Sequence, residues 1–463
     1  SVTPPRATLN LNATQQFAAS VNGISNQAVT WQVNGVLNGN PTLGTISNTG
    51  LYTAPSAIPS PSSVTVNAVS QADPTQSGNA AVMIGDVTIN QMSEAAPIKL
   101  GTSGGNENDE TAQFCCSGTL GTLVVRNGTN FILSNNHVLA RSGQAALGER
   151  IGQPGLVDTN PPCSPAAEVN VADLSQFAPL NGLVDAAIAA VVSGQVDTSG
   201  AILQLGAVVG GVPQPAPPAN TVATAAVNMP IAKSGRSTGL SCGTVQLTSV
   251  SVRVDYSTSC GGATTSTVTY NNQIMTSANF AGNGDSGSLI VDATTVQPVA
   301  LLFAGDNTGA AVGNPIQAVL NALADSKGNV PTIVGVATPL QQVSGCTGMT
   351  AQPAPLSASA ERQLFQAAVP AAIAVKERHE ADLMSDPAVL AIGIGDSGTA
   401  GHPAIVVDIE RGKPHRTIPA VLEGIPTRVI TTGRFKANDW DPNAMKHCSS
   451  TGKSSHDAIL PMK

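Results

Sequence analysis

Charge is scarce in this sequence: 11% of its 463 residues are Asp, Glu, Lys or Arg, and the formal net charge is −8. No cluster of Lys or Arg occurs along it, so there is no basic face to neutralise phosphates, which argues against nucleic acid as a partner. Aromatic residues are scarcer still, at 3%. No apolar run approaches the roughly 20 residues that a membrane-spanning helix needs, so no membrane span is expected. The seven cysteines, at 115, 116, 163, 242, 260, 346 and 448, include no CxxC pair, which argues against a zinc site. Neither a metal nor an organic cofactor is expected. Histidine is almost missing: His137 is the only one in the first 378 residues.

What is abundant is Gly, Ala, Ser, Thr, Val and Pro, a mixture suited to short strands joined by tight turns and unsuited to a helical bundle. The length suggests two to four domains. The chain begins at Ser1 without a methionine or an apolar leader, which reads as a trimmed form of a secreted protein. Six cysteines fall within 115–346, enough for three disulfides in an oxidising compartment. Cys242 and Cys260 bracket a hairpin-like stretch and are the favoured pair; Cys448 reads as unpaired.

Residues 1–86 alternate in short segments, among them "AVTWQVNG" and "GTISNTGLYTAP", with turn residues between them at β-sandwich intervals. Trp31 is the expected core aromatic. A second all-β region spans 87–346, with the Pro-rich stretch 211–220 as the expected crossover between two halves. Residues 347–357 read as a linker. A helical pattern over 358–384 and three strand-like segments ("AVLAIGIG", "HPAIVVDIE", "PTRVITTGRF") make a small α+β unit over 358–436. Residues 437–463 are polar, unpatterned and expected to be disordered.

The chemistry concentrates in three segments: "FILSNNHVLAR" (131–141), "NGLVDAAIAAVV" (181–192) and "AGNGDSGSLIV" (281–291). Serine acylation needs a nucleophile, a base to take its proton and a carboxylate to fix the base's tautomer. His137 has no competitor as base. Asp185 lies among apolar residues, where an unpaired carboxylate would be costly, and a hydrogen bond to an imidazole offsets that cost. Asp173 is the rival, in more polar surroundings. Ser286 sits in Gly284-Asp285-Ser286-Gly287, where flanking glycines let the backbone turn so that the Gly284 and Ser286 amides converge on an oxyanion. The same tetrapeptide recurs at 395–398, so the motif decides nothing alone. Ser397 lies in a Gly-rich loop between two alternating strands, ordinary hairpin chemistry. Ser286 precedes "SLIVD" and "PVALLFAG" in the region shared with His137 and Asp185, and is the expected nucleophile.

The order His–Asp–Ser and the segments "GTLGTLV", "FILSNNHVLA", "VDAAIA", "KSGRSTGLSCGTV" and "GDSGSLIVD" resemble trypsin/chymotrypsin-like serine peptidases of a bacterial subgroup, over about 115–340. The resemblance implies two six-stranded antiparallel barrels with the triad between them, and Gly284 and Ser286 as oxyanion donors. It implies Phe303, Ala304 and Gly305 as an edge strand pairing with substrate, and Phe280, Ala281 and Gly282 as the floor of the specificity pocket. Phe280 stands where trypsin has an acidic residue, so cleavage after Lys or Arg is not expected. No "IVGG"-like activation site precedes the barrels; Asp285 then needs another donor, with Arg236, Arg253 and backbone amides as the options. Residues 1–86 resemble bacterial immunoglobulin-like domains through "VTW.V.G" and "G.I..TGLYTAP", which implies a spacer or a module binding a cell-surface or extracellular ligand. The C-terminal unit resembles a domain that accompanies such peptidases. Its strand "PAIVVDIERGKP" suits sheet augmentation or occupation of the cleft, but a folded accessory domain without a role at the site is the reading preferred.

The function expected is a secreted serine endopeptidase acting on proteins or peptides. Two alternatives stand beside it: a catalytically silent, adhesive protein on a peptidase scaffold, and a peptidase that mainly processes its own chain.

Overall fold

The computed structural model describes residues 1–437 apart from 4–5, 10, 22, 24–25, 58, 60–62, 85–87, 113, 307, 338–341 and 347–355. The expectations for the polar tail, for most of the 347–357 linker and for Cys448 lie outside the described residues. The chain is mainly β, with curled sheets and few helices.

Near the N-terminus, β1 (Val29–Val33), β2 (Ser63–Ser70) and β3 (Ser77–Ile84) run through a five-stranded sheet. Alternation selects the buried face: Trp31, Val33, Val64 and Val66 are buried, while Thr30, Gln32, Thr65 and Asn67 are half-buried. Phe17 joins Ile46 and Tyr52, from a four-stranded sheet, in closing the same core around Trp31.

The next strands are β4 (Thr102–Asn106), β5 (Gly118–Leu120), β6 (Thr122–Arg126), β7 (Thr129–Ser134), β8 (Arg150–Gln153), β9 (Val169–Phe177) and β10 (Ala187–Val191). Their order in the sheet is β5-β4-β8-β9-β10-β7-β6. Strands β5 and β6 sit at opposite ends of that order, yet only Gly121 separates them in sequence. The sheet must therefore curl until its ends meet, giving a six-membered antiparallel ring in which 118–126 acts as one bent strand. Thr332–Ile333 adds to the β6 side.

A second ring follows: β11 (Pro230–Gly235), β12 (Gly239–Tyr256), β13 (Ser266–Thr276), β14 (Leu289–Asp292), β15 (Pro298–Gly305) and β16 (Ala311–Pro315). The order β11-β14-β15-β16-β13-β12 closes because β11 also pairs with β12. The Pro-rich 211–220 stretch lies between the two rings.

Three disulfides link Cys115 to Cys163, Cys116 to Cys260 and Cys242 to Cys346. The expected Cys242–Cys260 pair does not form. Cys242 lies near the start of the 18-residue β12 and Cys260 beyond its far end. At roughly 3.3 Å per residue the strand holds them tens of ångströms apart.

Helix α1 (Asn136–Leu139) is one turn after β7, and α2 (Ile316–Ala322) follows β16. After α3 (Leu356–Met384) come β17 (Val389–Asp396), β18 (Pro403–Glu410) and β19 (Ile425–Thr432), near the expected positions. Their sheet is not separate. Strand β17 pairs antiparallel with β12, Val252 opposite Ala391, so the second ring's sheet continues into this unit.

Within it, Asp408 is buried on β18. Burial, with repulsion from Asp306, pushes its carboxyl up to about 7. The folded chain thus keeps a proton that the unfolded chain releases near pH ~4, and stability falls as pH rises from there through about 7. Asp408→Asn should therefore stabilise the protein by on the order of 2 kcal/mol at about pH 8, with little gain near pH 4, as read from urea midpoints. Equal gains at both pH values would refute this.

Candidate active site

Strands β7 and β10 pair in a register that sets Ser134 opposite Ala187. Two or three residues past that pair lie His137, on α1, and Asp185, so the ladder brings the two side chains together. His137 Nδ1 lies 2.6 Å from Asp185 Oδ2, and the His137 backbone N–H donates to Asp185 Oδ1 at 3.2 Å. Both residues are buried. The Asn135 side chain donates to the Asp185 carbonyl, and the Asp185 N–H donates to Asn314 Oδ1 at 2.9 Å. Asp173 stands elsewhere, accepting from Asn170.

The Asp185 carboxylate has a further donor that sequence reading missed. Tyr256 donates its hydroxyl to Asp185 Oδ2 at 2.8 Å and shares a 2.8 Å contact with the Tyr270 hydroxyl. Burial, then the Asp185 charge, holds the Tyr256 phenol well above its ordinary value, so it remains a donor. The chain has three tyrosines, and two of them meet here; that scarcity was the available signal.

Ser286 is buried in the turn between β13 and β14, and its carbonyl accepts from the Thr119 N–H at 2.8 Å. A side chain at Gly118 would meet both the Ser286 carbonyl and Val138, so the serine and histidine segments flank one glycine. Gly284 has φ +92°, and a Cβ there would press on Arg236 and Ser237, so the turn requires glycine. Ser397, by contrast, lies in an exposed loop with its hydroxyl on the Thr399 carbonyl.

The Asp285 partner is Lys233, at 3.0 Å, with both side chains fully buried. Neither proposed arginine serves: Arg236 grips Asp158 at 2.6 and 2.9 Å, and Arg253 caps carbonyls of Asp386 and Val389. The expected amides do contribute, from Ser237, Thr238 and Gly282 at 2.8–3.1 Å. Burial opposes ionisation of Asp285, but Lys233 and these donors hold its carboxyl below the usual range. A lysine inside the apolar strand "PIAKSG" was the overlooked signal.

Phe280 is fully buried in the second ring among Ile231, Val245, Ile274 and Ile290. Ala281 follows it half-buried, and Gly282 caps Asp285. Phe303 turns its ring inwards against Tyr270, 4.9 Å between centroids; Ala304 is buried and Gly305 ends β15. The described residues contain no His/Cys/Asp/Glu group suited to a metal ion. None of their helices is long and apolar enough to cross a membrane.

A buried imidazole thus rests on a buried carboxylate, and the segments carrying His137 and Ser286 flank Gly118. No family model matches the chain, and no curated protein matches it. Solved structures similar to it are bacterial serine proteases that cover about half of the chain. One is a protease specific for glutamic acid and described as using a histidine triad in substrate binding (19% identity, 51% of this chain, 100% of that one, TM-score 0.34). Others are Thermobifida fusca protease A (17%, 51% and 98%, TM-score 0.33) and a Cellulomonas bogoriensis chymotrypsin (16%, 52% and 99%, TM-score 0.33).

Proposed function

We propose that the protein is a serine endopeptidase with Ser286 as nucleophile, His137 as general base and Asp185 as the carboxylate that orients the base. The observation that carries this reading is the buried 2.6 Å His137–Asp185 contact, with the segments of His137 and Ser286 flanking Gly118. With Nδ1 donating to Asp185, the opposite ring nitrogen, Nε2, is the one to take the Ser286 proton. The Gly284 and Ser286 amides receive the oxyanion, and water releases the acyl group. The substrate-pairing edge is Phe303, Ala304 and Gly305, whose Gly305 end is paired with the chain's own Lys436. Phe280, Ala281 and Gly282 underlie the specificity pocket, and the absence of an acidic residue at 280 favours a small or apolar residue before the scissile bond.

The three disulfides suit an extracellular setting. Residues 1–86 act as an immunoglobulin-like spacer or a binding module for an extracellular ligand, 87–346 as the peptidase and 358–436 as an accessory unit. A fluorophosphonate probe should label the wild type and not Ser286→Ala. Failure of the wild type to react with the probe or to hydrolyse unfolded casein would favour the silent, adhesive alternative.

Tyr256→Phe removes one donor to a charged acceptor while keeping the ring, and should lower kcat about tenfold with little change in KM. An unchanged kcat would show that Asp185 is oriented without it.

A further inference from the structure

Past β19 the described chain ends in a short strand, β20 (Phe435–Lys436), set between two others. Lys436 pairs antiparallel with Gly305, the last residue of β15. On the other side, Phe435 and Lys436 pair in parallel with Val254 and Asp255 of β12. The segment is firmly seated. Arg434 bonds the Asp255 carboxylate at 2.7 and 3.2 Å, Phe435 is buried in the cluster that holds Phe303 and Tyr270, and the Ala437 N–H donates to the Asp255 carbonyl at 3.1 Å.

Direction matters as much as contact. Because the Gly305–Lys436 pairing is antiparallel, the step from Lys436 to Ala437 runs back along β15, in the direction of Leu302. The Leu302 carbonyl accepts the Gly287 N–H at 2.8 Å, which ties that strand to the residue after Ser286. Ala437 accordingly lines the cleft that His137 also lines, with Arg141, Ser257 and Gly261. The backbone thus adds to a strand edge and reaches, at Ala437, a cleft that His137 also lines, the course by which a peptide is presented to such a site.

We propose that the protein's own C-terminal tail is a substrate of this site, cut within the chain one or two bonds past Ala437. The proposal rests on the serine peptidase reading. Ser286 Oγ attacks the tail carbonyl carbon as its proton passes to His137. The C–N bond breaks, and the amine leaves with that proton. Water then adds to the ester, giving one proton back through His137 to Ser286. The products are a chain ending in a new carboxylate near Ala437 and the remainder beyond the cut as a free peptide. The strand reaching the cleft is β20, not the 403–414 segment that the sequence suggested.

The test follows intact mass over time at several protein concentrations, with probe labelling in parallel, for the full chain, Ser286→Ala and Lys436→Pro. Proline at 436 removes a backbone N–H and restricts φ within the added strand. The wild type is expected to lose the tail at a rate independent of concentration, Ser286→Ala to keep it, and Lys436→Pro to lose it at least about tenfold more slowly while still labelling. A wild type that labels yet keeps its tail, or cuts only elsewhere, overturns the proposal and leaves the peptidase reading intact. A rate that rises with concentration overturns the intramolecular course. Absence of labelling in both the wild type and Lys436→Pro brings down the peptidase reading and the proposal with it.

Discussion

Asp185→Asn is expected to lower kcat for peptide hydrolysis about ten-thousand-fold while leaving KM within a few-fold of the wild type. The carboxylate accepts from His137 Nδ1, the His137 backbone N–H and the Tyr256 hydroxyl, so each of its contacts requires an acceptor. A carboxamide has one acceptor oxygen and one donor nitrogen. With the nitrogen in the Oδ2 position, its N–H groups face both Nδ1 and the tyrosine hydroxyl, which stabilises the tautomer with its proton on Nε2 and removes the base. With the oxygen in the Oδ2 position, the NH2 is set against the His137 backbone N–H, a donor–donor clash that disfavours this orientation. Asn matches Asp in size, and the fold should survive, as a near-wild-type melting curve would show. A loss of less than tenfold, measured on a folded variant, would remove Asp185 from the mechanism.

The second large effect concerns stability. Lys233→Met should destabilise the protein by about 3–5 kcal/mol, because it strands a carboxylate that has no water to fall back on. Asp285 keeps its donors from Ser237, Thr238 and Gly282, but these partial charges must then carry a full one. In the wild type the Asp285 carboxyl is held below its ordinary value, so its contribution is present above pH ~4 and disappears as pH falls through the depressed value. In Lys233→Met the same carboxyl rises, and protonation relieves the strain. The deficit in urea should therefore be greatest near neutrality and shrink on acidification. The double variant with Asp285→Asn should recover more than half of the loss. A constant deficit across pH would mean that Lys233 acts through packing alone.

Much of this site was legible because its backbone logic is local. The strand before His137, the apolar run holding Asp185 and the glycines around Ser286 each announce themselves within a few residues. The bent strand at 118–126 and the ring closures follow from pairings that sequence alternation suggests but does not assign. What stayed hidden depends on contacts far apart in the chain. Tyr256 reaches Asp185 across 71 positions, and Lys233 reaches Asp285 across a turn whose own sequence offers arginines instead. The disulfide misreading has the same origin. A hairpin was inferred where Cys242 and Cys260 fall near the two ends of one long strand. The length of β12 is set by its partners on both flanks, which no local pattern records.

That long strand has a further consequence. Its flank around Leu247–Val254 is apolar, and β17 covers it by pairing at Thr248, Ser251 and Val252. A chain ended at residue 346 would leave this stretch paired with β13 on one flank and with an open ladder on the other. Such an edge is a template for copies of the chain to add to one another, so the excised barrels would tend to clump or stack instead of remaining dispersed. The C-terminal unit thus works as a selvedge. It hems the sheet against fraying into assemblies, which a cut beyond Ala437 would leave undisturbed.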